Sequence, residues 1–182
     1  MGLFSFLSRL KAQKAKLRVL VLGLDNAGKS TILASLADEE ISTVTPTAGL
    51  NIKTVQHQKY ELTMWDIGGQ KSIRKYWKKY YKDTDAVIYV VDSSDVARIG
   101  ETYAEFCQLL LEPQLSGHPV LVFANKQDLS SALTQAKVAE ELHLPSISDR
   151  PWQIQACCAK TGEGLKEGME WMLEAVSVIS SK

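Results

Sequence analysis

Apolar positions in this chain fall into short runs separated by stretches with helical spacing. Leu17-Arg18-Val19-Leu20-Val21-Leu22, Asp85-Ala86-Val87-Ile88-Tyr89-Val90-Val91-Asp92 and Val120-Leu121-Val122-Phe123-Ala124 are near-continuous. Such runs suit strands covered on both faces. The pattern predicts strands near 17–22, 51–57, 60–66, 85–92, 119–125 and 152–157, and helices near 29–37, 71–81, 98–112, 134–142 and 163–179. Only Gln58-Lys59 separates the second and third strands, so they pair as an antiparallel hairpin. The remaining elements alternate strand and helix. The expected fold is therefore α/β, a six-stranded, mostly parallel sheet with one antiparallel edge strand and helices on both faces. In the last helix Leu165, Met169, Met172, Val176 and Ile179 recur at helical spacing and read as core.

The start of the chain breaks this alternation. Residues 1–16 read as an N-terminal amphipathic helix and linker, and 17–182 as the folded domain. Leu3, Phe4, Phe6, Leu7 and Leu10 cluster on one helical face, beside Arg9, Lys11, Lys14 and Lys16. That composition suits a helix lying in a membrane interface, or one packed on its own domain. The acylation pattern Met-Gly-x-x-x-Ser/Thr fails, because position six is Phe6 and the serine is Ser5. Any membrane contact is then weak and peripheral. The apolar stretch is far shorter than the ~20 residues of a spanning helix.

Composition changes the picture little. The 182 residues make one domain with a sizeable core. Lys plus Arg equal Asp plus Glu at 21 each, which gives no support to nucleic-acid binding. Cys107, Cys157 and Cys158 lack metal-site spacing and suit a reduced, cytoplasmic chain. Cys157 and Cys158, being adjacent, are expected on opposite faces of the last strand.

Three motifs carry chemistry. Gly23-Leu24-Asp25-Asn26-Ala27-Gly28-Lys29-Ser30 fits the phosphate-loop pattern Gly-x4-Gly-Lys-Ser between a strand and a helix. Backbone N–H groups from the loop through Thr31 can wrap phosphates. Lys29 is expected at the β and γ phosphates, and the Ser30 hydroxyl on Mg²⁺. Asp66-Ile67-Gly68-Gly69-Gln70 ends the third strand. Asp66 is placed for the outer shell of the Mg²⁺, Gly68 and Gly69 for backbone contact with a γ-phosphate, and Gln70 for orienting the attacking water. Asn125-Lys126-Gln127-Asp128 names the base. The Asp128 carboxylate can accept from guanine N1–H and the exocyclic amine together. Adenine presents a lone pair there and leaves the carboxylate unpaired, which opposes an ATPase.

These motifs resemble the small GTPases, and more narrowly the Arf and Arf-like family. Pro46-Thr47-x-Gly49, Trp65-Asp66-Ile67-Gly68-Gly69-Gln70 and Asn125-Lys126-Gln127-Asp128 have that family's form, and the likeness runs from about Leu17 to Ile179. Met1-Gly2-Leu3-Phe4-Ser5, Ser42-x-Val44-Thr45-Pro46-Thr47 and Trp152-Gln153-Ile154-Gln155 resemble the type-three Arf-like proteins. The resemblance implies a P-loop fold binding GTP and GDP with Mg²⁺. It implies Thr47 as the switch threonine on Mg²⁺, where chemistry alone leaves Thr43 and Thr45 open. It places Cys158-Ala159-Lys160 at the base, with the Ala159 N–H meeting the guanine carbonyl, and the Lys126 stem along the base plane. Asp25, awkward beside a phosphate, is that family's ordinary residue.

The resemblance also implies partners: a guanine nucleotide exchange factor, a GTPase-activating protein, and switch-region effectors such as carriers of lipidated cargo. Trp65 and Tyr80 match two members of an apolar effector triad; the third position is Leu50, where many relatives carry Phe. A cytoplasmic chain, peripherally membrane-associated when GTP-bound, at Golgi or cilium, follows from the same likeness. The expected activity is slow GTP hydrolysis. No arginine finger in cis is identifiable, and one supplied in trans is worth on the order of 10³–10⁵ in rate. The alternative is a GTP-dependent binding module with negligible hydrolysis.

Overall fold

Alternate residues of the central strands feed two separate cores. In β1 (Ala15–Leu22), Val19 and Val21 face one side of the sheet while Leu20 and Leu22 face the other. β4 (Ala86–Asp92) divides in the same way, with Ile88 and Val90 against Tyr89 and Val91. This is why both runs are apolar throughout. The computed structural model describes residues 14–181, so the expected N-terminal amphipathic helix lies outside the described residues.

The other elements are α1 (Lys29–Leu36), β2 (Leu50–His57), β3 (Tyr60–Ile67), α2 (Lys71–Arg74), α3 (Ile99–Leu110), β5 (Val120–Asn125), α4 (Gln135–Glu141), β6 (Trp152–Ala156) and α5 (Leu165–Ser180). The sheet runs β2-β3-β1-β4-β5-β6. β2 is antiparallel to β3, and every other pairing is parallel. Ile32 and Leu33 of α1 pack with Met169, Met172 and Val176 of α5 on one face. Phe106 and Leu109 of α3 pack with Val138 of α4 on the other. In such sheets ligands gather beyond the carboxyl ends of the strands. β1, β3 and β5 end there, each leading into one of the three motifs.

Several expectations need correction. The helix expected over 71–81 is broken into α2 and a 3₁₀ turn at Trp77–Tyr80. Tighter bonds, such as Tyr76 N–H to the Ile73 carbonyl, turn the chain so that Trp77 is buried. Its indole N–H donates to the Gly68 carbonyl at 3.0 Å. Ile179 is exposed rather than core, and Leu173, one turn before the buried Val176, takes up core space. β1 begins at Ala15, whose N–H donates to the Lys59 carbonyl at 3.0 Å, so strand pairing reaches into the expected linker. Cys157 and Cys158 lie beyond the end of β6, and both are buried.

Candidate functional site

The phosphate loop is shaped by its glycines. Gly28 sits at φ +99°, and a Cβ there would lie 2.3 Å from the Asn125 side-chain nitrogen. Any side chain would therefore push the base motif away from the loop. Lys29 is buried, and its ammonium donates to the Gly23 and Leu24 carbonyls at 3.1 and 2.9 Å. A cavity of about 310 Å³ lies over the loop, lined by Asp25, Asn26, Gly28, Lys29, Ser30, Thr31, Thr47, Gly69 and Gln70 among others. Gly23, Leu24 and Ala27, also expected at the nucleotide, are buried beneath the loop surface and do not line the cavity.

Three oxygens from separate segments meet beside this cavity. Ser30 Oγ donates to Asp66 Oδ2 at 2.5 Å, Thr47 Oγ1 lies 2.7 Å from Ser30 Oγ, and Thr47 Oγ1 donates to Asp66 Oδ2 at 3.1 Å. Asp66 is fully buried, and its Oδ1 has no hydrogen-bond partner among the described residues. A buried carboxylate with two hydroxyls is the hard-oxygen donor set that suits Mg²⁺. Thr45 also lines the cavity, but Thr47 is the one bonded into the cluster.

In this conformation the Gly68 N–H donates to the Gly49 carbonyl at 2.8 Å, at the head of β2. Gly69 is the residue that borders the cavity. A Cβ on it would lie 2.3–2.4 Å from Leu24 and Asp25 backbone atoms, so only glycine lets this segment touch the loop. Gln70 lines the cavity too, and its buried Oε1 has no partner among the described residues.

An adjoining cavity of about 70 Å³ is lined by Gly28, Thr31, Asn125, Lys126, Asp128, Leu129, Cys158, Ala159 and Lys160. Gly28 and Thr31 border both cavities. Asn125 is buried with both ends of its amide engaged. Its Nδ2 donates to the Ala27 carbonyl at 2.9 Å, and its Oδ1 accepts from the Ala159 N–H at 3.0 Å. Asn125 therefore ties the phosphate loop, β5 and the loop after β6 together. The Ala159 N–H, expected to meet the guanine carbonyl, is held by Asn125 in this conformation, and Lys160 follows it on the cavity wall. Lys126 sits at φ +66°, and its ammonium pairs with Asp92 at 2.6 Å.

Comparison with known proteins now decides the family. The model of the ADP-ribosylation factor family matches residues 3–176. The chain belongs to that family. ADP-ribosylation factor-like protein 3 of Chlamydomonas reinhardtii is 57% identical over 176 residues, covering 97% of this chain and 99% of that one. ADP-ribosylation factor-like protein 2 of Dictyostelium discoideum is 48% identical over 176 residues, covering 97% and 96%. Among solved structures, the Arl6 BBS3 small GTPase from Trypanosoma brucei, with bound nucleotide analogue GppNp, superposes with a TM-score of 0.83. It is 37% identical and covers 90% of this chain and 98% of that one. This Arf-family chain is thus a small GTPase with the P-loop fold, a GTP-binding switch protein and a GTP hydrolase.

The structure adds residues that no motif marks. Arg98 donates to Asp25 Oδ1 at 3.0 Å and to the Asp25 carbonyl at 3.1 Å. Arg74 reaches the same carboxylate at 3.5 Å. Burial alone would raise the Asp25 carboxyl, but Arg98, through charge and a hydrogen bond, and Arg74 hold it below the ordinary carboxylate range. These arginines let an Arf-family phosphate loop carry a carboxylate. Asp92, which holds Lys126, also accepts from the Ser94 hydroxyl and N–H. No local spacing signals the Arg98–Asp25, Arg74–Asp25 or Lys126–Asp92 pairs; only the Asp92–Ser94 turn is local.

Burial pushes the Lys29 ammonium down to about 8, against the opposing charges of Asp66 and Asp25 and with a contribution from Arg74. A bound phosphate favours the ammonium, so nucleotide binding near pH 8 draws in protons, and affinity falls as pH rises through that value. Calorimetric titration of nucleotide-free protein with GDP at pH 8, in buffers of different ionisation enthalpy, should show uptake of about half a proton. The uptake should fade towards zero at pH 7. None at pH 8 would mean that Lys29 is already fully charged in the free protein.

Proposed function

We propose that this chain is an Arf-like switch whose triphosphate state is held by Ser30, Thr47 and Asp66 together with Mg²⁺. The single observation that carries the reading is the meeting of those three oxygens beside a cavity shared with Lys29, Gly69 and Gln70. The magnesium ion neutralises phosphate charge when bound. Thr47 belongs to the segment leading into β2, and Asp66 to β3. Loss of the γ-phosphate leaves these segments with only their direct side-chain bonds and the β2–β3 pairing. Gln70 borders the phosphate cavity, and its buried side-chain carbonyl has no partner among the described residues, which suits orienting the attacking water and favours hydrolysis over a pure binding role. Hydrolysis is slow until an activating protein supplies an arginine, because Arg74 and Arg98 are both engaged with carboxylates.

The proposed effector surface is the exposed strip Leu50 and Ile52 on β2, with Trp65 and Tyr80 beside it. Arg18 stacks 3.6 Å over the Trp65 ring, and Trp65 and Tyr80 rings lie 6.1 Å apart. The Arg18 side chain also donates to the Tyr80 carbonyl at 2.8 Å, so one guanidinium braces both aromatic positions. Carriers of lipidated cargo, in membrane or ciliary trafficking, are the partners that the type-three likeness favours.

No helix among the described residues is long and apolar enough to cross a membrane. Residues 2–11 are proposed as a weak peripheral anchor, released when GTP binds. One experiment tests both surfaces. Unacylated protein is loaded with GTP analogue or GDP, then offered to lipidated-cargo carriers and to anionic liposomes. Carriers and liposomes should both prefer the triphosphate form. Trp65→Ala should abolish carrier capture alone, and Phe4→Ala with Phe6→Ala should abolish flotation alone. Equal behaviour in the two nucleotide states would defeat the switch reading of these surfaces.

A further inference from the structure

Arg74 is the last residue of α2, four positions after Gln70, and it does not line the phosphate cavity. Its side chain is only 5% exposed, yet it makes four polar contacts to three segments. Nε donates to the Gly69 carbonyl at 2.6 Å. Nη1 donates to Glu101 at 2.7 Å and to Glu105 at 3.1 Å, two carboxylates one turn apart on α3. Nη2 reaches Asp25 of the phosphate loop at 3.5 Å. Three carboxylates around one guanidinium fix its plane, and with it the direction of Nε.

The Gly69 residue is thereby held from two sides. Its Cα lies so close to Leu24 and Asp25 that a Cβ has no room. Its carbonyl is gripped by Arg74. A trans peptide is planar, and its C=O and the next N–H point in opposite directions. Gripping the Gly69 carbonyl therefore aims the Gln70 N–H away from Arg74 and sets where the Gln70 side chain begins. The Gln70 carbonyl in turn accepts from the Ile73 and Arg74 N–H groups at 2.8 and 3.2 Å, which closes α2 on the same residue.

We propose that Arg74 is a positioning residue for GTP hydrolysis, anchored on α3 and the phosphate loop and acting through the Gly69–Gln70 peptide. The proposal rests on the reading that Gln70 orients the attacking water. Lysine at position 74 keeps the charge among the carboxylates but lacks the planar fork that reaches Gly69 at the same time.

The test is single-turnover hydrolysis of GTP, followed by nucleotide chromatography, in four proteins: wild type, Arg74→Lys, Gln70→Leu and the double variant. Arg74→Lys should lower the rate about tenfold, the loss of one charge-assisted hydrogen bond, while GDP dissociation changes less than about threefold. In the Gln70→Leu background the same substitution should be silent, because it acts through a side chain already removed. Equal proportional losses in both backgrounds, or an unchanged rate in Arg74→Lys, would overturn the proposal. If Arg74→Lys does not fold, Glu101→Gln with Glu105→Gln keeps Arg74 and loosens its anchor. That pair should slow hydrolysis about threefold, and no slowing overturns the proposal equally. A Gln70→Leu variant as fast as wild type would instead remove the underlying role of Gln70.

Discussion

Asp128→Asn should lose GTP affinity by on the order of 10²–10⁴ and gain preference for xanthosine triphosphate. The carboxylate lies exposed on the wall of the base cavity, in the turn that follows the buried Asn125. With guanine, an aspartate accepts two hydrogen bonds; an asparagine accepts one and turns a donor towards the amine. Xanthine carries a carbonyl in that place, which the amide can satisfy. The phosphate side stays intact, because Asp128 touches none of it. Competition between the two triphosphates is the measurement, and unchanged GTP preference would take Asp128 out of the base site. Removing Lys126 is not an equivalent test, since its ammonium also neutralises Asp92.

Gln70→Leu should bind GTP normally and lose stimulated hydrolysis by on the order of 10²–10³. The leucine fills similar space but offers no carbonyl or amide to a water. The loop itself should hold, because Gly69 is fixed by the phosphate loop and by Arg74 and not by the Gln70 side chain. Single-turnover assays with an activating protein decide the matter. Wild-type stimulated rates in this variant would mean that the water is oriented by another group. Slower nucleotide binding in the same variant would point to a fault in folding of the loop instead.

What was legible in the sequence was whatever sits in one continuous stretch. The apolar runs of β1, β4 and β5 announce a two-faced parallel sheet, and Gly28-Lys29-Ser30 announces a phosphate loop. Period alone does not give the strand order, since Leu20 and Val87 look alike until they are paired. The site was legible as motifs but not as a network. Asn125 reads as a base contact, and its amide ends bind Ala27, 98 positions away, and Ala159, 34 positions away. Arg98 and Asp25 are 73 positions apart. Gly68 reads as a phosphate contact, and only the register of β2 on β3 shows its N–H bonded to Gly49 in this conformation. The break at 75–76 is invisible in a window where aromatic and basic residues alternate. It arises because Trp77 must reach Gly68.

The Asn125 carboxamide has a thermodynamic consequence. It clasps the floor of the phosphate loop with one end and the guanine-side loop with the other. Whatever orders one half of the site lowers the cost of ordering the other. Base and phosphate are then read as one cooperative ligand, and the coupling is reciprocal: guanosine improves the grip on pyrophosphate by the same factor by which pyrophosphate improves the grip on guanosine.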